Sequence, residues 1–138
     1  MAKNICAAVC AFALSLCVFC GREPVLNING DNELYLFSDS SSCEILKVEG
    51  DIGKRYKMLT DVYGEAVGGL RKSDVDSIVC DFCAKKVFTE NVDGITSEYL
   101  YSSAIPFYKL INGKKINLHI VCDGEKYKVG SPVIFGGY

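Results

Sequence analysis

The chain has 138 residues, with 15 basic and 17 acidic side chains, a net charge of −2, a single His and no Trp. No basic stripe or run stands out, so nucleic acid is not an expected partner. About half the residues are apolar and neither a Gly/Ser/Pro linker nor an internal repeat interrupts them, which suits one globular domain rather than a disordered or modular chain.

In chain order, residues 5–20 come first. From Ile5 to Cys20 the run is apolar except for Ser15; it follows Lys3 and stops at Gly21-Arg22-Glu23-Pro24. A short basic start and an apolar core of this kind are the marks of a secretory signal. The cleavage site is unusual, since Phe19 stands between Val18 and Cys20. Leu16 before Cys17 and Phe19 before Cys20 are equally poor for lipid attachment. As a helix the sixteen residues would span about 24 Å, short of the roughly 30 Å hydrocarbon layer. Three readings follow: a cleaved signal, a retained anchor or lipid-modified Cys, and a buried core helix. The last lacks the polar face that a surface helix needs. The expectation is therefore a leader at 1–20 and a single α+β domain at 21–138, placed outside the cytosol. Contact with a membrane is expected only through residues 5–20, if they are retained.

Residues 25–30 and 34–37 read as short strands around an Asn/Gly/Asp turn, Ser38 to Ser42 as a loop, and Cys43 to Val48 as an extended run closed by Glu49-Gly50-Asp51. Residues 55–70 are ambiguous, because Gly64, Gly68 and Gly69 should break any long element. A helix is expected over 74–86. Val75, Ile78, Val79, Phe82 and Cys83 recur at i, i+3, i+4, i+7 and i+8, Ser73 is placed to cap it with Asp76 three residues on, and Lys85 and Lys86 suit the negative end of its dipole. A meander follows. Val87–Glu90 returns through Asp93-Gly94 into Ile95–Tyr101, and Phe107–Ile111 returns through Asn112-Gly113 into Lys114–Cys122. The Asn-Gly pair is a strong hairpin signal, because a type I′ turn places both central residues at φ > 0. Asp123-Gly124 repeats the device, and Pro132 marks a strand end. Ile116, Leu118, Ile120 and Cys122 should face the helix, with Asn117, His119 and Val121 on the other side. The expected fold is an antiparallel β-meander covered on one face by a helix and preceded by short strands.

Candidate chemistry is sparse. Four of the eight cysteines fall in the leader; Cys43, Cys80, Cys83 and Cys122 remain and allow two disulfides in three pairings. Cys80-Asp81-Phe82-Cys83 has the spacing of a redox pair, but redox pairs sit at helix N-termini, where the dipole lowers the thiol pKa, and here the expected N-terminus is two turns earlier. A zinc site would draw on the same four cysteines with His119 as a substitute. Structural zinc prefers two tight ligand pairs, and this chain has one. No Gly-x-Ser-x-Gly elbow and no phosphate loop is present, and the acids Glu44, Glu49, Glu65, Glu90 and Glu98 form no spaced pair. Neither catalytic residues, nor a cofactor, nor a metal site is expected. The stretch from Ile95 to Tyr108 carries Tyr99, Tyr101, Phe107 and Tyr108, with Lys114 and Lys115 beside the next turn. Aromatic rings with basic neighbours suit a glycan or peptide, although strands favour aromatics for packing alone.

Residues 106–122 and 129–138, with the stretch 84–90 and the Tyr101-Ser102 pair, resemble the YwmB-like family of exported Firmicutes proteins. The resemblance covers roughly residues 73–138. It implies a TATA-binding-protein-like α+β fold, an envelope or sporulation setting and no enzymatic role, and it brings no catalytic residues. A shared fold name does not carry DNA binding with it. The functional expectation is an exported accessory or interaction domain at the bacterial cell envelope, its partner an envelope protein or a wall polymer. A thiol-based protein using Cys80 and Cys83 is the first alternative. A wall-glycan module built on Tyr99, Tyr101 and Tyr108 is the second.

Overall fold

The computed structural model describes residues 23–36, 44–59 and 62–135. The expected leader at 1–20, the expected loop from Ser38 to Ser42 and Cys43 lie outside them. Among the described residues the elements run β1 (Asp31–Leu36), β2 (Glu44–Val48), α1 (Ile52–Met58), β3 (Val62–Leu70), α2 (Lys72–Asp81), β4 (Lys85–Val92), β5 (Ile95–Tyr101), β6 (Lys109–Ile111), β7 (Lys114–Ile116), β8 (Leu118–Cys122) and β9 (Tyr127–Ser131). Seven strands form one antiparallel sheet in the order β2-β1-β3-β9-β8-β5-β4, and β6 and β7 pair as a separate hairpin. The fold is α+β with an antiparallel meander, as the pattern of apolar residues and turns implies.

The meander is set by its turns. Asp93 and Gly94 (φ 52° and 80°) close β4 onto β5, and Asn112 and Gly113 (φ 51° and 73°) close β6 onto β7, both in the left-handed conformation of type I′ hairpins. Asp123-Gly124 works differently. Only Gly124 has positive φ, and the Asp123 carboxylate accepts the Glu125 and Lys126 N–H groups at 3.0 Å, so side-chain capping makes this turn.

Helix α2 begins and ends earlier than its apolar spacing suggests. Arg71, not Ser73, stands at its N-cap, and the Arg71 N–H donates to the Asp74 carboxylate at 2.9 Å. Ser73 lies inside the helix, where its carbonyl accepts the Ser77 hydroxyl. At the other end the Ala84 N–H returns to the Val79 carbonyl and the Cys83 N–H to that of Cys80, both at 3.0 Å. With Cys83 at φ 48°, this is a Schellman stop. Lys85 and Lys86 therefore belong to β4 and not to the last turn of the helix. Val75 and Ile78 are buried against Leu100, Leu118, Ile120 and Val129, and Val79 and Phe82 pack at the margin.

Three further expectations give way. Residues 25–30 form no strand; Leu26 is buried in the core and its N–H donates to the Glu65 carboxylate at 2.7 Å. Gly64, Gly68 and Gly69 do not interrupt β3, which runs for nine residues. A Cβ at Gly64 would lie 3.0 Å from the Ser131 carbonyl and 3.2 Å from the Phe135 ring, so this glycine admits a crossing segment. Gly69 (φ 69°) sits where the register with β9 shifts between Val67 and Leu70. Nor is the sheet one-sided. Leu118 and Ile120 face α2, but Asn117, His119 and Val121 are buried too. Beyond Pro132 the chain folds back across the second face, where Ile134 and Phe135 pack with Tyr35, Ala66 and Val121.

Candidate functional site

Strand register builds an aromatic row on the face opposite α2. Phe88 lies opposite Tyr99 and Tyr99 opposite His119. The three rings stack, with centroids 4.4 Å apart and planes at 18° for the first pair, 4.3 Å and 11° for the second. Both faces of the Tyr99 ring are thus covered, and its hydroxyl donates to Glu90 at 3.2 Å. Stacking a sugar on Tyr99 would require breaking the row. Tyr101 lies two residues further along the same face, half-buried, and Tyr108 stands outside it.

His119 anchors this row. It is buried, its Nδ1 accepts the Ile134 N–H at 3.1 Å, and burial pushes its pKa down to about 4. The accepting Nδ1 places the proton of the neutral ring on Nε2. Opposite it stands Gly130, where a Cβ would come within 2.6 Å of the Ile134 side chain. His119 and Gly130 together hold the 132–135 segment in place. A histidine so engaged is a packing and hydrogen-bonding residue rather than a zinc ligand. Cys122, three residues on, lies on the other side of the sheet.

The β6–β7 hairpin presents two sides. Lys109 and Lys114 reach aromatic rings of the body, Lys109 Nζ at 4.7 Å from the Phe135 centroid and Lys114 Nζ at 5.7 Å from that of Phe88. Leu110, paired with Lys115, is 61% exposed and Tyr108 49%, and Lys115 Nζ sits 4.6 Å over the Tyr108 ring. Tyr108, Leu110 and Lys115 form a small apolar tip with one cation, and of the three tyrosines expected to act together only Tyr108 is on it.

The thiols are dispersed. Cys80 and Cys83 are free and exposed at the C-terminal end of α2, and Cys122 is free and half-buried. Cys122 lines a groove of about 540 Å³ beside α2, whose apolar floor includes Val79, Leu100 and Ile120. The Lys72–Asp76 and Lys86–Glu98 pairs flank it. Among the described residues no group of three or more His, Cys, Asp or Glu side chains is placed to hold a metal.

Two buried polar centres escaped sequence reasoning. Asn117 accepts the Ser102 N–H at 2.8 Å and donates to the carbonyls of Ser102 and Ile105 at 2.7 and 3.3 Å, which pins the 102–105 loop over the core. Glu65 accepts the N–H groups of Val25 and Leu26, yet burial outweighs these bonds and raises its carboxyl to about 7. Periodicity marks neither: alternation puts Asn117, between Ile116 and Leu118, on the face away from the helix, and Glu65 lies in the glycine-interrupted β3, so neither pattern gives a sign of burial. Comparison of the chain with protein-family models, with curated proteins and with solved structures finds no match.

Proposed function

We propose that this chain is an exported, non-enzymatic interaction domain of the bacterial cell envelope, docking through the outer side of the β6–β7 hairpin. The observation that carries the reading is the pairing of Tyr108 and Leu110, held out in solvent on a hairpin that is separate from the main sheet. Apolar side chains displayed on a rigid support, with a cation beside them, are the usual makings of a contact surface. The apolar run at 5–20, read as part of a leader at 1–20, supports the compartment, and the resemblance to the YwmB-like family agrees with it. The partner that complements Lys115 is acidic, an envelope protein or an anionic wall polymer. Fractionation of cells making the native protein, with intact-mass measurement, tests this. The protein should be recovered with the envelope, and Leu110→Ser with Lys115→Glu should release it into the soluble extracytoplasmic fraction. Recovery from the cytosol as a chain still starting at Met1 would overturn the reading.

One observation favours the thiol-based alternative. Cys83 occupies a left-handed position that glycine usually fills, so a thiol is kept there at a backbone cost, one turn from Cys80. Titration of the native protein with a thiol reagent decides it. Slow, equal reaction of Cys80 and Cys83, with no intramolecular disulfide under oxidant, would remove the alternative.

A further inference from the structure

Residues 132–135 cross the sheet face opposite α2 as a strap. They belong to no strand, and among the described residues one hydrogen bond ties their backbone to the sheet, from the Ile134 N–H to His119 Nδ1 at 3.1 Å. Side chains hold the rest. Ile134 and Phe135 pack on Tyr35, Ala66 and Val121, and the Phe135 ring meets that of Tyr35 edge-on with centroids 5.3 Å apart. The inference drawn from this strap does not rest on the hairpin reading.

The His119 site has no place for a second proton. Nδ1 is committed as an acceptor, and Nε2, which carries the proton of the neutral ring, is buried with no partner among the described residues. A proton taken from water at Nδ1 turns that acceptor into a donor facing the Ile134 N–H and leaves both ring N–H groups unmet. The charged groups on this face do not relieve it. Glu90 accepts the Tyr99 hydroxyl, Glu33 pairs with Lys128, and Lys109 and Lys114 lie over the Phe135 and Phe88 rings. Burial alone pushes the ring down to about 4. Tyr99, stacked on the ring, and Gly130, opposite it, sit in strands paired on both sides. The strap, held by a single backbone bond, can lift without breaking the sheet.

We propose that protonation of His119 releases residues 132–135, an acid-sensitive latch that uncovers Tyr35, Ala66 and Val121 while the strands stay paired. Local opening of this kind is cheapest where few backbone bonds must break.

Amide hydrogen exchange of the native protein tests it, read by NMR at pH 7, 5.5 and 4 and corrected for intrinsic rates, with the His119 ring followed in the same samples. Protection of the Ile134 amide should fall about 100-fold from pH 7 to 4, the ratio that an ordinary value of 6.5 and a buried value of about 4 impose on opening. Leu118 and Val129, inside the sheet, should change less than about fivefold, because Glu65 gains over this range what His119 loses. His119→Asn places a carbonyl oxygen that does not titrate near the position of Nδ1, and should keep Ile134 protection level with pH. Level protection in the native protein while His119 titrates would overturn the proposal. So would equal losses at Ile134, Leu118 and Val129, which mean general unfolding, or a fall in His119→Asn as large as the native one. The native comparison decides the matter by itself if His119→Asn does not fold.

Discussion

Single residues carry opposite contributions here, and local chemistry sets the sign of each. Cys83 has a Cβ in left-handed backbone (φ 48°), which costs on the order of 1 kcal/mol relative to glycine. Its side chain is exposed, so little packing offsets the strain. Cys83→Gly should therefore stabilise the protein by about 0.5–1 kcal/mol, less the greater chain entropy of glycine, and raise the thermal midpoint by a few degrees; a fall would show that the thiol makes a contact of its own. Asn117 is the reverse case. Its amide meets three backbone groups in a site with no access to water, and each group left unmet costs about 1–3 kcal/mol. Asn117→Ala should destabilise by roughly 3 kcal/mol or more in denaturant unfolding. Asn117→Asp should not rescue it, because a carboxylate restores the acceptor and removes both donors.

At the scale of elements, the strands of the meander and their turns were legible in the sequence; the nine-residue β3 and the partner of each face were not. Asn112-Gly113 and Asp93-Gly94 announce hairpins because few other residues adopt φ > 0 at low cost. Alternation of Ile116, Leu118, Ile120 and Cys122 with Asn117, His119 and Val121 announces a strand. It gives no sign that the strand is covered on both sides, since the cover for the second face, Ile134 and Phe135, arrives from beyond Pro132 through a contact no local pattern encodes. The same limit applies to the candidate site. Tyr99, Tyr101 and Tyr108 were visible as tyrosines, but strand register alone decides that Tyr99 is enclosed between Phe88 and His119 while Tyr108 is displayed. Helix α1 was missed because its apolar residues are too few to show a period. Gly130 tests the account of the second face. A Cβ there would press within 2.6 Å of Ile134, so Gly130→Ala should push the 132–135 segment away and break the bond from Ile134 N–H to His119. A loss of about 2 kcal/mol is expected. The His119 ring should then gain water, and its NMR titration should move up from about 4 toward the ordinary imidazole value.

For the molecule as a whole, Glu65 and His119 set the response to pH, and they oppose each other. Glu65 has its pKa raised in the fold, from 4.5 to about 7. The folded state holds a proton that the unfolded state has lost, so stability falls as pH rises across that window. His119 has its pKa lowered, from 6.5 to about 4. Here the unfolded state holds the extra proton, so stability falls as pH drops from 6.5 to 4. Each window is worth roughly 3 kcal/mol for groups so deeply buried. Where the windows overlap, between about pH 4.5 and 6.5, the two slopes are equal and opposite. The native protein should show a plateau there, with a decline above it toward pH 7 and another below it. Asp74 and Asp123, held below the usual carboxylate range by backbone N–H groups, add a loss confined to more acid solution. Single variants should expose each slope. Glu65→Gln should leave stability rising from pH 4 to 6.5 and level beyond, and His119→Gln should leave it falling from pH 4.5 to 7. The double variant should restore a nearly flat profile in the overlap at lower absolute stability. Urea unfolding at half-unit pH steps measures all four proteins. A native profile with a single steep slope across pH 5–6, unchanged in Glu65→Gln, would mean that this carboxyl ionises at its ordinary value and that the contact holding Leu26 to the core is not the buried one described.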